Sequence, residues 1–312
     1  MNRAFLDRFS RILALVLIVV LLAATKPNFL GVRNLLNILN QASLNVIVAV
    51  GMTFTMLIAG IDLSVGSILA LTSVMAARFF QTGGVSDMIA GFAVALGLGT
   101  FLGVLNGAAI VHLRVPAFLV TFGMMQAARG FAYLFNSGVI YNNFDGKFLF
   151  LGKGDVLGVP TPVAIAALVL GLFGLILAKT TMGRRVYMVG ANYSSARYSG
   201  ISIGRTTIFA YALSGLLAAL AGLVYISRLN AAEAIIGEHF NLMAIAAAAI
   251  GGVSFNGGSG SVFGTVLGAL ILTIIMNGMN LHGIPTQYQN LATGAAIILA
   301  VLLDRRAMRA EV

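Results

Sequence analysis

Few residues in this chain could do chemistry, and their spacing excludes most of it. There is no cysteine, so thiolate metal ligands, thiol nucleophiles and disulfides are ruled out. His112, His239 and His282 are too scattered for a metal site, and each reads as a loop or interface residue. No Gly-x-x-x-x-Gly-Lys-Ser/Thr phosphate cradle occurs, and Gly152-Lys153-Gly154 has the wrong spacing. A His-Glu-x-x-His helix, a nucleophile elbow and the kinase signatures are also missing. The sequence therefore predicts no catalytic residue, no metal and no cofactor. What stands out is Asp62, in Gly60-Ile61-Asp62-Leu63-Ser64-Val65-Gly66-Ser67 between two apolar runs. Two readings remain open for it. Asp62 and Ser64 start a helix, with the carboxylate near its positive end, or they line or gate a pathway. A carboxylate at membrane depth is costly unless capped, paired or wetted.

The elements that position these residues are hydrophobic. The 312 residues are 59% hydrophobic and 9% charged, with a mean hydropathy of +0.99. A soluble domain carries about 25% charge. Without water in hydrocarbon, the backbone must satisfy its own hydrogen bonds, and apolar runs of about twenty residues do so as helices. The expected fold is all-α: one polytopic transmembrane domain over 1–312. Ten spans are expected, at about 12–25, 43–59, 64–80, 88–111, 115–136, 157–178, 208–227, 240–253, 261–280 and 287–303. The first lacks an Ala-x-Ala cleavage site and reads as an uncleaved helix.

Basic residues set the orientation. With a cytoplasmic N-terminus, the inner side holds Arg3, Arg8, Arg11, Arg114, Lys179, Arg184, Arg185, Arg197, Arg205, Arg305, Arg306 and Arg309. The outer side holds Lys26, Arg33, Arg78, Lys147, Lys153 and Arg228. This places both termini and the 179–207 loop in the cytoplasm. It also explains the net charge of +10 without nucleic acid. Arg129, inside the fifth span, either snorkels or pairs with the helix end near Asp62.

Gly99, Gly103 and Gly107 in the fourth span are echoed by Gly260, Gly264 and Gly268 at the start of the ninth. Such ridges let helices approach closely. Five spans, an odd number, separate the copies, as in an inverted internal repeat.

The 179–207 loop is the largest polar stretch on the cytoplasmic side. Asn192 can cap a short helix over about 193–199, which Gly200 can end. Met188, Val189, Tyr193 and Tyr198 give it an apolar surface that suits a docking partner. The glycine-rich run 251–261 reads as a loop with positive φ angles, a packing or hinge feature on the same side.

The pattern Gly190-Ala-Asn192-x-x-x-Ala196-Arg197-x-Ser199-Gly200-Ile201 resembles the coupling loop of ABC-importer membrane subunits of the ribose/galactose/arabinose permease family. Gly60–Ser67 is similar to that family's octapeptide, Ala249–Ser261 to another signature, and Gly103–Gly107 to a further one. The family's usual small or acidic pair before Ala196 is Ser194-Ser195 here, which bears on the ATPase accepted. The resemblance spans essentially the whole chain. It implies a multi-pass protein of the bacterial inner membrane that passes a monosaccharide inward. Its implied partners are an ABC ATPase, an extracytoplasmic sugar-binding protein and a second permease subunit, identical or not. The 190–201 residues named above would couple to the ATPase. Asp62, Ser64, Ser67, Asn45, Asn106 and Gln126 suit a sugar pathway or gate, since hydroxyls are recognised by hydrogen bonds, and equally suit interhelical bonding. The alternatives are a branched-chain amino acid or nucleoside permease of the same superfamily, or an ion-coupled secondary transporter.

Overall fold

The structure, a computed structural model, describes residues 3–309. The expectation of cytoplasmic termini falls partly on chain ends outside the described residues. The described chain forms α1 (Arg3–Thr25), α2 (Val32–Leu57), α3 (Val65–Ala77), α4 (Val85–Leu113), α5 (Ala117–Asn136), α6 (Gly146–Lys153), α7 (Thr161–Lys179), α8 (Thr181–Ala191), α9 (Tyr193–Tyr198), α10 (Ile203–Leu229), α11 (Phe240–Ile250), α12 (Val262–Leu281) and α13 (Thr286–Arg309). Every expected span coincides with one of these helices. By length and composition α2, α4, α7, α10 and α12 can each cross a membrane outright, and α3 and α11 are shorter apolar helices. The chain is a multi-pass helical membrane protein.

Two local differences have physical causes. Helix α2 begins at Val32 rather than residue 43, because Asn34, Asn37, Asn40 and Gln41 dilute its hydropathy. One of those amides, with Asn45 further along the helix, is used inside the bundle. Asn34 and Asn277 of α12 exchange hydrogen bonds of 3.1 and 2.9 Å, and Asn45 donates to Thr273 at 3.0 Å. The loop before α7 is also more ordered than its glycines suggest. Helix α6 is capped by Asp145, whose Oδ1 accepts from Lys147 N–H at 2.9 Å. Ser227 of α10 then holds it, donating to the Phe148 carbonyl at 2.7 Å and accepting from Gly152 N–H at 2.8 Å. Short strands β1 (Tyr141–Asn142) and β4 (Ala231–Ala232) pair antiparallel, as do β2 (Asp155–Val156) and β3 (Val159–Pro160).

Helices α2, α3 and α10 form the buried centre. Against them α4 lays its glycine ridge. A Cβ on Gly103 would sit 2.2 Å from the Tyr211 carbonyl oxygen, and one on Gly99 would sit 2.5 Å from that of Gly215. The second ridge is used differently. Gly264 and Gly268 face Gly251 and Ala247 of the α11 end, and Gly260 lies in the preceding loop at φ +136° rather than on a helix. Gly260 is thus corrected from helix packing to loop geometry.

The contacts nevertheless repeat with a shift of five spans. Helix α4 packs on α10 as α12 packs on α2, and α3 on α5 as α11 on α13. Likewise α10 meets α3 as α2 meets α11. The connections repeat as well: α2 is followed by left-handed Ala59 (φ 60°) and α10 by left-handed Asn230 (φ 58°). Each long helix is then followed by a non-helical return and a short helix, α3 or α11. The starts of these two meet within the bundle, where a Cβ on Gly66 would lie 2.2 Å from the Gly237 carbonyl oxygen.

Candidate functional site

The return between α2 and α3 is held by its own polar groups and by three other helices. Asp62 is fully buried. Its Oδ1 accepts from Ser64 N–H at 3.0 Å and from Ser64 Oγ at 2.5 Å, and its Oδ2 accepts from Ser214 Oγ of α10 at 2.7 Å. Asn106 of α4 donates through Nδ2 to Ser64 Oγ at 2.9 Å. Thr121 of α5 donates to the Ile61 carbonyl at 3.1 Å. Gly60 is required because Tyr211 stands over it; a Cβ there would sit 2.4 Å from the phenol oxygen. A helix start deep in the bundle leaves N–H groups that need acceptors, and Asp62 supplies one.

Of the six residues expected on a pathway, Asp62, Ser64, Ser67, Asn45 and Asn106 are buried within the chain, and Gln126 is exposed. The structure brings Asp62, Ser64 and Asn106 together and leaves Asn45 and Gln126 apart from them. Arg129 does not reach Asp62. Its Nη1 donates to the carbonyl oxygens of Ala234 and Ile236, the latter at 2.8 Å, and so holds the return before α11.

At one end of the bundle three distant segments meet through glycine backbones. Gly258 N–H donates to the Leu57 carbonyl at 2.9 Å. Gly190, near the end of α8, is packed so closely that a Cβ would lie 1.8 Å from the Leu57 oxygen and 2.5 Å from Gly258 N. Gly257 and Gly258 have φ of 79° and 72°, as the loop reading requires. Tyr187 of α8 donates to the Gly260 carbonyl at 2.8 Å, and burial pushes its phenol pKa up, favouring the protonated donor. Helix α8 is therefore docked on the α2 end and on the 251–261 loop.

From this junction hangs α9. Asn192 Oδ1 accepts from Ser195 N–H at 2.9 Å, capping its start. At its end Gly200, at φ 75°, donates to the Arg197 carbonyl, and Ile201 N–H to that of Ala196, which satisfies the last carbonyls. Ala196, expected on the docking face, is buried and anchors α9, because it is the one side chain of that helix turned inward. The outward surface carries Arg197, Ser199, Tyr193 and Tyr198, the last 91% exposed, beside Met188 of α8. Ser214, Leu57 and Tyr187 were missed in the sequence, where they read as ordinary span or loop residues.

A family model described as branched-chain amino acid transport system / permease component matches residues 34–301. The chain belongs to this permease family. It is 40% identical over 310 residues to the ribose import permease protein of Escherichia coli (strain K12), covering 98% of this chain and 96% of that one. To the ribose import permease protein of Bacillus subtilis (strain 168) it is 37% identical, covering 96% and 94%. To the D-allose transport system permease protein of Escherichia coli (strain K12) it is 35% identical, covering 96% and 92%. No solved structure matches the chain significantly.

Proposed function

We propose that this chain is the membrane-spanning subunit of an ATP-driven importer for a monosaccharide, a ribose-like pentose or a hexose. It would receive the sugar from an extracytoplasmic binding protein and pass it to the cytoplasm. ATP would be hydrolysed on a separate ATPase chain, and a second permease subunit would complete the path. The likeness along nearly the full length to permeases named for ribose and allose carries this reading. The exposed α8–α9 surface supports the ATPase contact, and its firm seat on the α2 end supplies a route for motion into the bundle. The single domain, the cytoplasmic termini and the ten crossings belong to the same proposal. So does the assignment of coupling to Gly190, Asn192, Ala196, Arg197, Ser199, Gly200 and Ile201. Gln126 fits a pathway lining, and the buried Asp62, Ser64, Ser67, Asn45 and Asn106 fit a scaffold or gate around it.

Uptake of labelled D-ribose into vesicles should need this chain, ATPase and binding protein together. Uptake of a branched-chain amino acid instead would favour the alternative that the family description names. Cysteines can be placed singly because none is native. An impermeant thiol reagent added outside should label Lys153→Cys and Glu233→Cys and spare Arg197→Cys; the reverse pattern overturns the orientation. Tyr198→Ala with Met188→Ala should lose ATPase on co-purification. Wild-type uptake and co-purification in that variant would make α9 a solvated segment only.

A further inference from the structure

Helix α5 carries Phe122, Gln126, Arg129 and Tyr133 at spacings of four, three and four, which puts them on one face. Phe122 and Tyr133 are 44% and 50% exposed, Gln126 is exposed and Arg129 is half-buried. At 1.5 Å per residue, Gln126 lies about 13 Å from the start of α5, a helix about 30 Å long. Gln126 is thus near the middle of α5 and, with α5 as one of the proposed crossings, near mid-depth. The return before α11 comes down beside it. Arg129 grips the carbonyls of Ala234 and Ile236, and Asn241 in the first turn of α11 contacts Met125 Sδ at 3.7 Å. Glu238 and Tyr133 interact electrostatically with Arg129, and exposed His239 follows exposed Glu238 between that return and Asn241.

Lipid cannot cover such a face. An exposed amide, a carboxylate and an imidazole at this depth need water, protein or a polar ligand. Their mixture suits one ligand class. Gln126 and His239 can donate and accept, Glu238 accepts, and two aromatic rings flank them as platforms for an apolar C–H face. A neutral, polyhydroxylated ring alternates hydroxyls with such faces. An amino acid carboxylate would want a free cation, and Arg129 is already committed to backbone carbonyls.

Resting on the proposed transport role, we propose that Gln126, Glu238 and His239, flanked by Phe122 and Tyr133, form a monosaccharide subsite at mid-depth in this permease. Arg129 is its positioning residue, holding the return that displays Glu238.

The test uses the full complex with ATPase and binding protein in proteoliposomes. Gln126→Cys and Glu238→Cys should react with a small charged methanethiosulfonate, and saturating D-ribose during turnover should slow the reaction. Leu168→Cys, on the outward apolar face of α7, should stay inert. If Gln126→Cys is as inert as Leu168→Cys, the face is sealed by lipid or a second copy and the proposal falls. Reaction that D-ribose leaves unchanged also overturns it. Glu238→Gln should shift the relative uptake of ribose, arabinose and xylose several-fold with an unchanged thermal midpoint, whereas an unchanged sugar preference counts against the subsite. If the wild-type complex carries none of these sugars while the thiol at 126 still reacts, the transport reading itself has failed, and that result is distinct from the others.

Discussion

Asp62 and Glu238 occupy corresponding places in the two halves of the bundle. Each acid stands in the return just before a short helix, α3 or α11, and the starts of these helices meet at Gly66 and Gly237. Their surroundings are opposite. Asp62 is fully enclosed and accepts three hydrogen bonds from Ser64 and Ser214, whereas Glu238 lies open beside the α5 stripe. One backbone device thus serves once to lock the helices and once to display a polar group. The difference lies in what packs against each return. Helix α10 brings a hydrogen-bond donor, Ser214, onto Asp62, while the nearest cation of α5, half-buried Arg129, is engaged with backbone carbonyls rather than with the Glu238 carboxylate.

Substitutions at the two positions should separate along that line. Asp62→Ala strands the Ser64 N–H and the Ser64 and Ser214 hydroxyls, so a loss of about 4 kcal/mol is expected. It should appear as a large fall in the thermal midpoint in detergent, and an unchanged midpoint would mean that the lock is idle. Gly66→Val drives side-chain atoms into the Gly237 carbonyl and forces the two short helices apart, at about 3 kcal/mol. Both halves should suffer, read as lost uptake and faster proteolysis near residues 58–64 and 230–239. Gly200→Val strains a left-handed position by about 1.5 kcal/mol. Nothing lies within 4 Å of that Cβ, so the effect should stay in α9, with ATPase co-purification lost and the midpoint nearly intact. Glu238→Ala should change stability least, by about 0.5 kcal/mol or less, because an exposed side chain leaves no buried donor behind. A drop as large as that for Asp62→Ala would abolish the contrast between the two acids.

Much of this was legible in the sequence, for identifiable reasons. Span positions follow from apolar length, and all ten meet a helix. The cap at Asn192 and the stop at Gly200 are local chemistry, so they could be read directly. The unusual cost of Asp62 was also visible, but its partner Ser214 lies 152 residues away and is one small residue in an apolar run. Gly190 and the 251–261 run were each noticed; that they touch the same carbonyl of Leu57 is a tertiary fact with no periodic trace. His239 read as a loop or interface residue, and Glu238 was not singled out, because the sequence gives no sign that their loop returns into the bundle. Helix α6 was lost for a simpler cause: eight residues that start on Gly146 and are followed by Gly154 read as a loop.

The Asp62 lock also orders events during synthesis. Chains grow at about 5–20 residues per second, so Ser214 follows Asp62 by about 8–30 seconds. Through that interval the first five spans hold a carboxylate served only by Ser64, two residues away. The amino-terminal half is therefore born incomplete. The second oxygen of Asp62 is satisfied only when α10 arrives, so quality control at the membrane would have a defined window in which to act on this chain.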